Sequence, residues 1–397
     1  MSAPPGPTPD TRTKIQPDPR PDPQKDTPRL FSLAAYFQAR LGAPARKVPL
    51  DAGFSCPNRD GTLKQADGST GCVFCNPAGS GTGLFAQGHT LAGQWALLAP
   101  RLAARHPEAL LLAYLQAYTN THASLDRLQS VLAEISGLPG VAGLCLGTRP
   151  DCLDVGLDVD GTYARLDALA SLVKTDALAS LLNKDATASP INNDTLGSSS
   201  RNAVAAGAGL SFVQLDLGLQ SADDAVLSLI GRGHDAACFA RAARAAADRG
   251  LAVCAHLVHG LPGAGPDDLA RSVDFLNELP VAGVKFHNLL VCRGARLAAL
   301  WRAGAYATPG REDYVAAVVR ALTLLRPDIC VQRLASDPVP GELIAPDWGA
   351  DKEGTLRRIR AELVRQNTWQ GREGHCPDKL PQWGRPPQQG ADKKDRP

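Results

Sequence analysis

Six β-like runs rich in aliphatic residues recur along the chain, at Lys47–Phe54, Ala109–Gln116, Val141–Thr148, Ser211–Gln220, Leu251–His259 and Val281–Val291. Between them lie stretches with a helical pattern, at Thr90–Arg105, Ser124–Ser136, Ala236–Arg249 and Pro266–Glu278. Ser124 and the Pro266-Asp-Asp triplet read as helix starts. Their side-chain oxygens can accept from free first-turn N–H groups, and proline fits a first turn. Gly250 reads as a stop, because glycine tolerates the left-handed conformation that ends helices. Strand–helix units in series call for parallel strands joined by helical crossovers. The pattern predicts an α/β fold, a partial (β/α)6 barrel of the TIM type, with its chemistry at the C-terminal ends of the strands.

One segment breaks this rhythm. Asp167-Ala-Leu-Ala-Ser-Leu is repeated at Asp176, and a polar stretch from Asn183 to Asn202 follows. Two copies are too few for a solenoid. The segment 167–208 reads as an extended helix running into a flexible surface insertion, long for a connection inside a compact domain. Residues 1–28 hold nine prolines and almost no apolar anchors, so a disordered tail is expected there. The barrel is then 29–335, a C-terminal extension covers 336–371, and the Pro-, Gln- and Lys-rich 372–397 is expected to be a second disordered tail.

Composition narrows the class without naming a function. The 397 residues are 44% hydrophobic and 21% charged, enough for one large core. A net charge of +2 makes no global electrostatic case for nucleic acid. The start, Met1-Ser-Ala-Pro-Pro-Gly-Pro, lacks the apolar stretch of a signal peptide, and no apolar run is long enough to cross a bilayer. The expectation is a cytoplasmic protein with no membrane partner, its thiols free or metal-bound.

The ten cysteines are unevenly placed. Cys56, in Phe54-Ser-Cys-Pro-Asn-Arg-Asp-Gly, follows the first strand; Cys72 and Cys75 form a CxxC pair before the next helix. Three thiolates can hold three irons of a 4Fe–4S cube and leave the fourth iron open for chemistry. A closed structural site normally has four protein ligands. A zinc site completed by a distant residue such as Cys376 or His89 is the alternative. Most of the other cysteines read as buried packing residues, with Cys152 at a strand end a candidate for a thiol or radical-relay role.

The chain also carries Gln116-Ala-Tyr-Thr-Asn-Thr, Gly147-Thr-Arg-Pro-Asp-Cys152, Gly218-Leu-Gln-Ser, Arg232-Gly-His-Asp, Val253-Cys-Ala-His256, Val331-Gln-Arg-Leu334, Leu343-Ile-Ala-Pro346 and Thr368-Trp-Gln-Gly371. With the cysteine stretches, these make it resemble the radical S-adenosylmethionine superfamily, specifically its YhcC-like group, over about Leu30 to Gly371. That group is related to the Elongator-, MiaB- and HemN-like radical enzymes. The resemblance implies a 4Fe–4S cluster on Cys56, Cys72 and Cys75, and S-adenosylmethionine as cofactor. It also implies an electron donor such as flavodoxin or ferredoxin, and a 5′-deoxyadenosyl radical acting on an unassigned substrate, RNA being one candidate. The alternative is an interaction or electron-transfer protein that binds zinc or a cluster without turnover. The 167–208 insertion and the proline tail depart from the group's pattern.

The same resemblance suggests roles at the strand ends. Phe74 occupies the aromatic position that usually lies beside the adenine. Gln116 and Tyr118 stand where related enzymes bind the methionine amine, and Gln220 belongs to a Gly-Leu-Gln-Ser pattern that faces the cofactor. Thr148 and Arg149 end the third strand. Arg149 can grip a carboxylate of cofactor or substrate through its planar fork, or serve a structural ion pair. His256 shares a strand face with Cys254 and Val258, either as a catalytic group pointing into the barrel or as a hydrogen-bonded core residue. Lys285 and His287 share a face of the sixth run and are candidates to meet substrate.

Overall fold

The computed structural model describes residues 28–64, 68–76, 79, 81–153, 163–173, 209–378 and 381. The proposed tail 1–28 lies outside them except for its last residue, as do the second copy of the repeat, the polar stretch 183–202, and the tail beyond 381.

Seven parallel strands form one sheet in strictly sequential order. They are β1 (Ala45–Leu50), β2 (Leu110–Leu115), β3 (Val141–Thr148), β4 (Phe212–Gln220), β5 (Ala252–His259), β6 (Gly283–Asn288) and β8 (Cys330–Arg333). Helices α2 (Leu91–Arg105), α3 (Leu125–Ser136), α4 (Ala164–Ala170), α5 (Asp224–Leu229), α6 (Ala236–Ala247), α7 (Asp268–Asn277), α8 (Leu297–Arg302) and α9 (Arg311–Leu324) supply the crossovers. Thr90 and Ser124 cap α2 and α3 by accepting from Gly93 N and Arg127 N. Each such cap stabilises its helix by about 1 kcal/mol.

Each strand is covered on both faces, which is why most of the runs read as largely apolar. Val48, Ala113, Leu144, Leu215, Val253 and Val284 face outward into the core shared with Leu128, Ile135, Phe239, Val273 and Val318 of the helices. The opposite face turns inward as the sheet curls into a half-barrel. Its lower end is filled by Leu112, Cys145, Phe212 and Cys330 together with Tyr36 and Phe37 of α1 (Leu33–Leu41). Phe37 meets Phe212 edge-on, ring centroids 6.0 Å apart. Curling brings the outermost strands within reach of each other: Lys47 Nζ of β1 donates to Gln332 Oε1 of β8 at 3.1 Å.

The expected runs all contain strands, with three differences. β1 stops at Leu50, where Asp51 N turns to the Gln94 side chain and Gly53 takes φ +69. The sixth run, expected to reach Val291, splits. β6 ends at Asn288, and Val291–Cys292 (β7) pairs antiparallel with Leu343–Ala345 (β9) in a second, two-stranded sheet. A seventh strand, β8, extends the expected six. The helix expected to run on from Asp167 ends at Ala170, capped by Ser171, and Val173 then bridges to Leu210.

The C-terminal extension carries α10 (Lys352–Arg365) and folds back under the barrel. Gln370 is fully buried there. It accepts from Phe31 N and donates to the carbonyls of Arg326 and Ile329, joining the chain's two described ends. Among the described residues no helix is long and apolar enough to cross a membrane.

Candidate active site at the strand ends

The loop after β1 is built around its cysteines. Arg59 N and Asp60 N both donate to Cys56 O, making a tight turn, and Cys75 N donates to Cys72 O at 3.1 Å. Neighbouring elements stitch the loop in place, through Val73 N to Ile230 O and Leu297 N to Val73 O. Asn58 is a clamp: its buried Nδ2 donates to Gly231 O at 2.9 Å and Arg232 O at 3.1 Å, and lies 3.3 Å from Cys72 Sγ. Arg232 adds Nη1 at 3.8 Å from the same sulfur, while its Nη2 holds Gly218 O at 2.6 Å. Donors aimed at a sulfur suit a thiolate that shares charge with a metal. Burial and the neighbouring Cys72 push the free Cys75 thiol up to about 11, so metal binding there must displace a proton.

The three cysteines, Phe74, Gln116, Tyr118, Thr148, Arg149, Gln220 and His256 all line one cavity of about 670 Å³ at the C-terminal ends of the strands. That volume is in the range of small-molecule sites. Two of these residues are backbone exceptions: Tyr118 has φ +55 and Gln220 has φ +80. Left-handed backbone at a non-glycine residue costs about 1–2 kcal/mol and tends to persist at ligand sites. Gln220 also sits at a register shift between β4 and β5, which turns its side chain at the strand end. The Arg59 guanidinium lies 5.2 Å from the Tyr118 ring centre.

The third strand end is already partly engaged. Thr121 Oγ1 donates to Cys152 O at 2.7 Å, so the 2.5 Å contact between Thr121 and Thr148 has Thr148 as donor. Arg149 is 2% exposed and grips Asp151 with Nε at 2.9 Å and Nη2 at 2.7 Å. Despite its burial, Asp151 is held below the usual carboxylate range by this fork. The structural ion pair is therefore present, yet Arg149 Nη1 is buried without a partner. Burial, with Asp151 beside it, pushes the Cys152 thiol up to about 12, so Cys152 is a neutral thiol at ordinary pH.

Deeper along the strands lies a charged layer, of which the sequence had pointed to Lys285 but not to Asp216 or Lys47. Asp216 of β4 is fully buried, ion-paired to Lys285 of β6, 3.9 Å from Lys47 of β1, and accepts from Gln214 Nε2 at 2.6 Å. Lys285 also donates to the Tyr114 hydroxyl at 3.2 Å. Burial would raise the Asp216 carboxyl, but Lys285 and Lys47 more than offset it and hold it well below its usual range. Above this layer His256 and His287 stack, ring centres 5.1 Å apart, and His287 Nδ1 is 3.2 Å from Ser336 Oγ. Burial lowers both imidazoles, His256 to about 4, so both are neutral at ordinary pH. His256 Nε2 is 3.7 Å from Asp216, too far for a hydrogen bond.

A tetrahedral zinc with bonds of about 2.3 Å would draw its thiolates to roughly 3.8 Å apart. Among the described residues, the trio of ligating groups within 4.8 Å of one another is Asp216, Cys254 and His256, not the three cysteines. The Asp216 group does not fit a cation, because its carboxylate already faces two ammonium groups.

The sequence pattern of the Radical_SAM C-terminal domain matches residues 281–365. The YhcC protein of Escherichia coli K12 is 33% identical over 309 residues, covering 78% of this chain and 84% of that protein. YtqA of Bacillus subtilis 168 is 29% identical over 346 residues, covering 87% of this chain and 92% of YtqA. Among solved structures, an N-terminally shortened archaeal Elp3 from Methanocaldococcus infernus aligns with a TM-score of 0.48 at 14% identity, over 68% of this chain and 58% of that one. The chain belongs to the radical S-adenosylmethionine superfamily, in the group typified by YhcC.

Proposed function

We propose that this protein is a radical S-adenosylmethionine enzyme, with a 4Fe–4S cluster held by Cys56, Cys72 and Cys75. Bound there, the cluster and its cofactor supply one-electron cleavage of a carbon–sulfur bond and a 5′-deoxyadenosyl radical that takes hydrogen from substrate.

The chain's own residues bind, orient and shield. Asn58 and Arg232 offer donors to Cys72 Sγ and so support a charged thiolate. Gln116 and Gln220 present carboxamides to the cavity with no hydrogen-bond partner among the described residues, and so suit the polar groups of S-adenosylmethionine. Arg149, held rigid by Asp151, directs its free Nη1 to a carboxylate. Phe74 offers a flat face to the adenine. The neutral His256 can donate or accept a hydrogen bond to substrate without adding charge. The electron donor is a small redox protein of the flavodoxin or ferredoxin class, and RNA is retained as a candidate substrate on relatedness.

One observation carries this reading: three thiols, an unpartnered guanidinium nitrogen and two strained strand-end residues meet around a single cavity. The test is iron and sulfide content after anaerobic reconstitution. Four of each per chain are expected, lost on changing any one of Cys56, Cys72 or Cys75 to Ala. Full cluster content in all three variants would overturn the ligand assignment, and a stoichiometric zinc in place of iron would favour a structural metal site.

A further inference from the structure

The floor of the cavity carries more positive charge than its own carboxylates balance. Asp216 is shared between Lys285, its direct ion-pair partner, and Lys47 at 3.9 Å. Arg333, at the end of β8, lines the same cavity half-buried, its guanidinium making no hydrogen bond or ion pair to any described residue. The other carboxylate on the wall, Asp337, is taken by Lys352 at 2.6 Å. Next to them the stacked His256 and His287 present two buried Nε2 atoms without partners. One carboxylate therefore answers two ammonium groups and a guanidinium, and two ring nitrogens remain unused.

A half-buried guanidinium with no counter-ion in the cavity can take one from a ligand, and its fork matches the oxygens of a carboxylate or a phosphate. Register places this layer below the strand-end residues: Gly218 pairs with His256, and His256 with Lys285, whereas Gln220 lies further along β4. Resting on the function proposed above, we infer that this floor is an anion-binding subsite for the substrate, taking a carboxylate or phosphate group, with Arg333 as its specificity-determining residue. An acidic group anchored there would fix one end of the substrate and leave the rest to extend toward the strand ends and the cysteine loop. Such remote anchoring is a recognised source of positioning energy.

The test is calorimetric titration of the full-length protein, at fixed ionic strength, with malonate, inorganic phosphate and the neutral isostere malonamide. At least one anion should bind one-to-one and malonamide should not. Arg333→Gln should weaken the anion at least tenfold, Arg333→Lys should weaken it less, and Arg302→Gln on the exposed surface should change nothing. Malonate alone binding assigns a carboxylate; phosphate alone assigns a phosphate. Failure of both anions to bind, equal binding of malonamide, or a smaller loss in Arg333→Gln overturns the proposal. None of these readouts needs iron or cofactor turnover, so the anion subsite and the radical chemistry stand or fall separately.

Discussion

Replacing Asp216 with Asn removes one charge from the middle of the barrel while keeping its shape. The carboxylate is 0% exposed in its side chain, and it balances Lys285 and Lys47, whose side chains are 5% and 14% exposed. Removing one member of a buried pair leaves the other uncompensated, which costs about 3–5 kcal/mol. The loss has a ceiling: a lysine with an ordinary pKa can escape by shedding its proton, at about 4.6 kcal/mol at pH 7 and only about 2 kcal/mol at pH 9. With a urea m-value of about 3 kcal/mol/M, the midpoint at pH 7 should fall by about 1–1.5 M.

The pH dependence follows from signs. Asp216 is held below its unfolded value, so its contribution is full above about pH 4 and is lost as pH falls through the folded pKa. Burial lowers Lys47 but Asp216 more than offsets it, so its pKa is raised, and its contribution is full below the unfolded value and lost only at more alkaline pH. The gap between wild type and Asp216→Asn should therefore stay wide from neutrality down to about pH 4, narrow by pH 9, and narrow in acid only below about pH 4. Urea curves at pH 4, 7 and 9 measure it. An unchanged midpoint at pH 7, or a gap that widens from pH 7 to pH 9, would refute the assignment of paired, charged lysines.

Three further outcomes are expected. Gln220→Gly should relieve the φ +80 backbone and hold or raise the urea midpoint while weakening S-adenosylmethionine binding in a filter or calorimetric assay, whereas Gln220→Ala should weaken binding without that relief. Asn58→Ala, which removes the donor shared by Cys72 Sγ, Gly231 O and Arg232 O, should lower iron retention under chelator challenge and cost about 1–3 kcal/mol in urea. Gln370→Ala removes the side-chain partner of Phe31 N, Arg326 O and Ile329 O, of which Arg326 O keeps Ile329 N; it should cost about 1–3 kcal/mol, and limited proteolysis should then cut near Arg29.

Much of the scaffold was legible because parallel strands buried on both faces leave long aliphatic runs, as in Leu-Leu-Leu-Ala-Tyr-Leu of β2, and because Thr90 and Ser124 mark their helices. β8 escaped notice because Cys-Val-Gln-Arg is short and its Gln and Arg face the barrel interior. The cysteine trio was visible as a spacing. Asn58 and Arg232 lay within the recognised stretches, but their convergence on Cys72 depends on a contact between segments far apart in sequence. Of the charged floor, Lys285 was named as a candidate to meet substrate, but its partners were not. Gln214 and Asp216 sit two apart in an otherwise apolar run, so each had to face a polar partner inside the barrel. Which lysine met which carboxylate was set by the curl of the sheet, and no local pattern encodes that.

The most direct measurement is product analysis of the anaerobically reconstituted, reduced protein incubated with S-adenosylmethionine. The account predicts 5′-deoxyadenosine and methionine in equal amounts, slow without substrate and absent from the Cys72→Ala variant. A fully loaded, reduced cluster that yields neither product would contradict it and leave the cluster a structural or electron-transfer role.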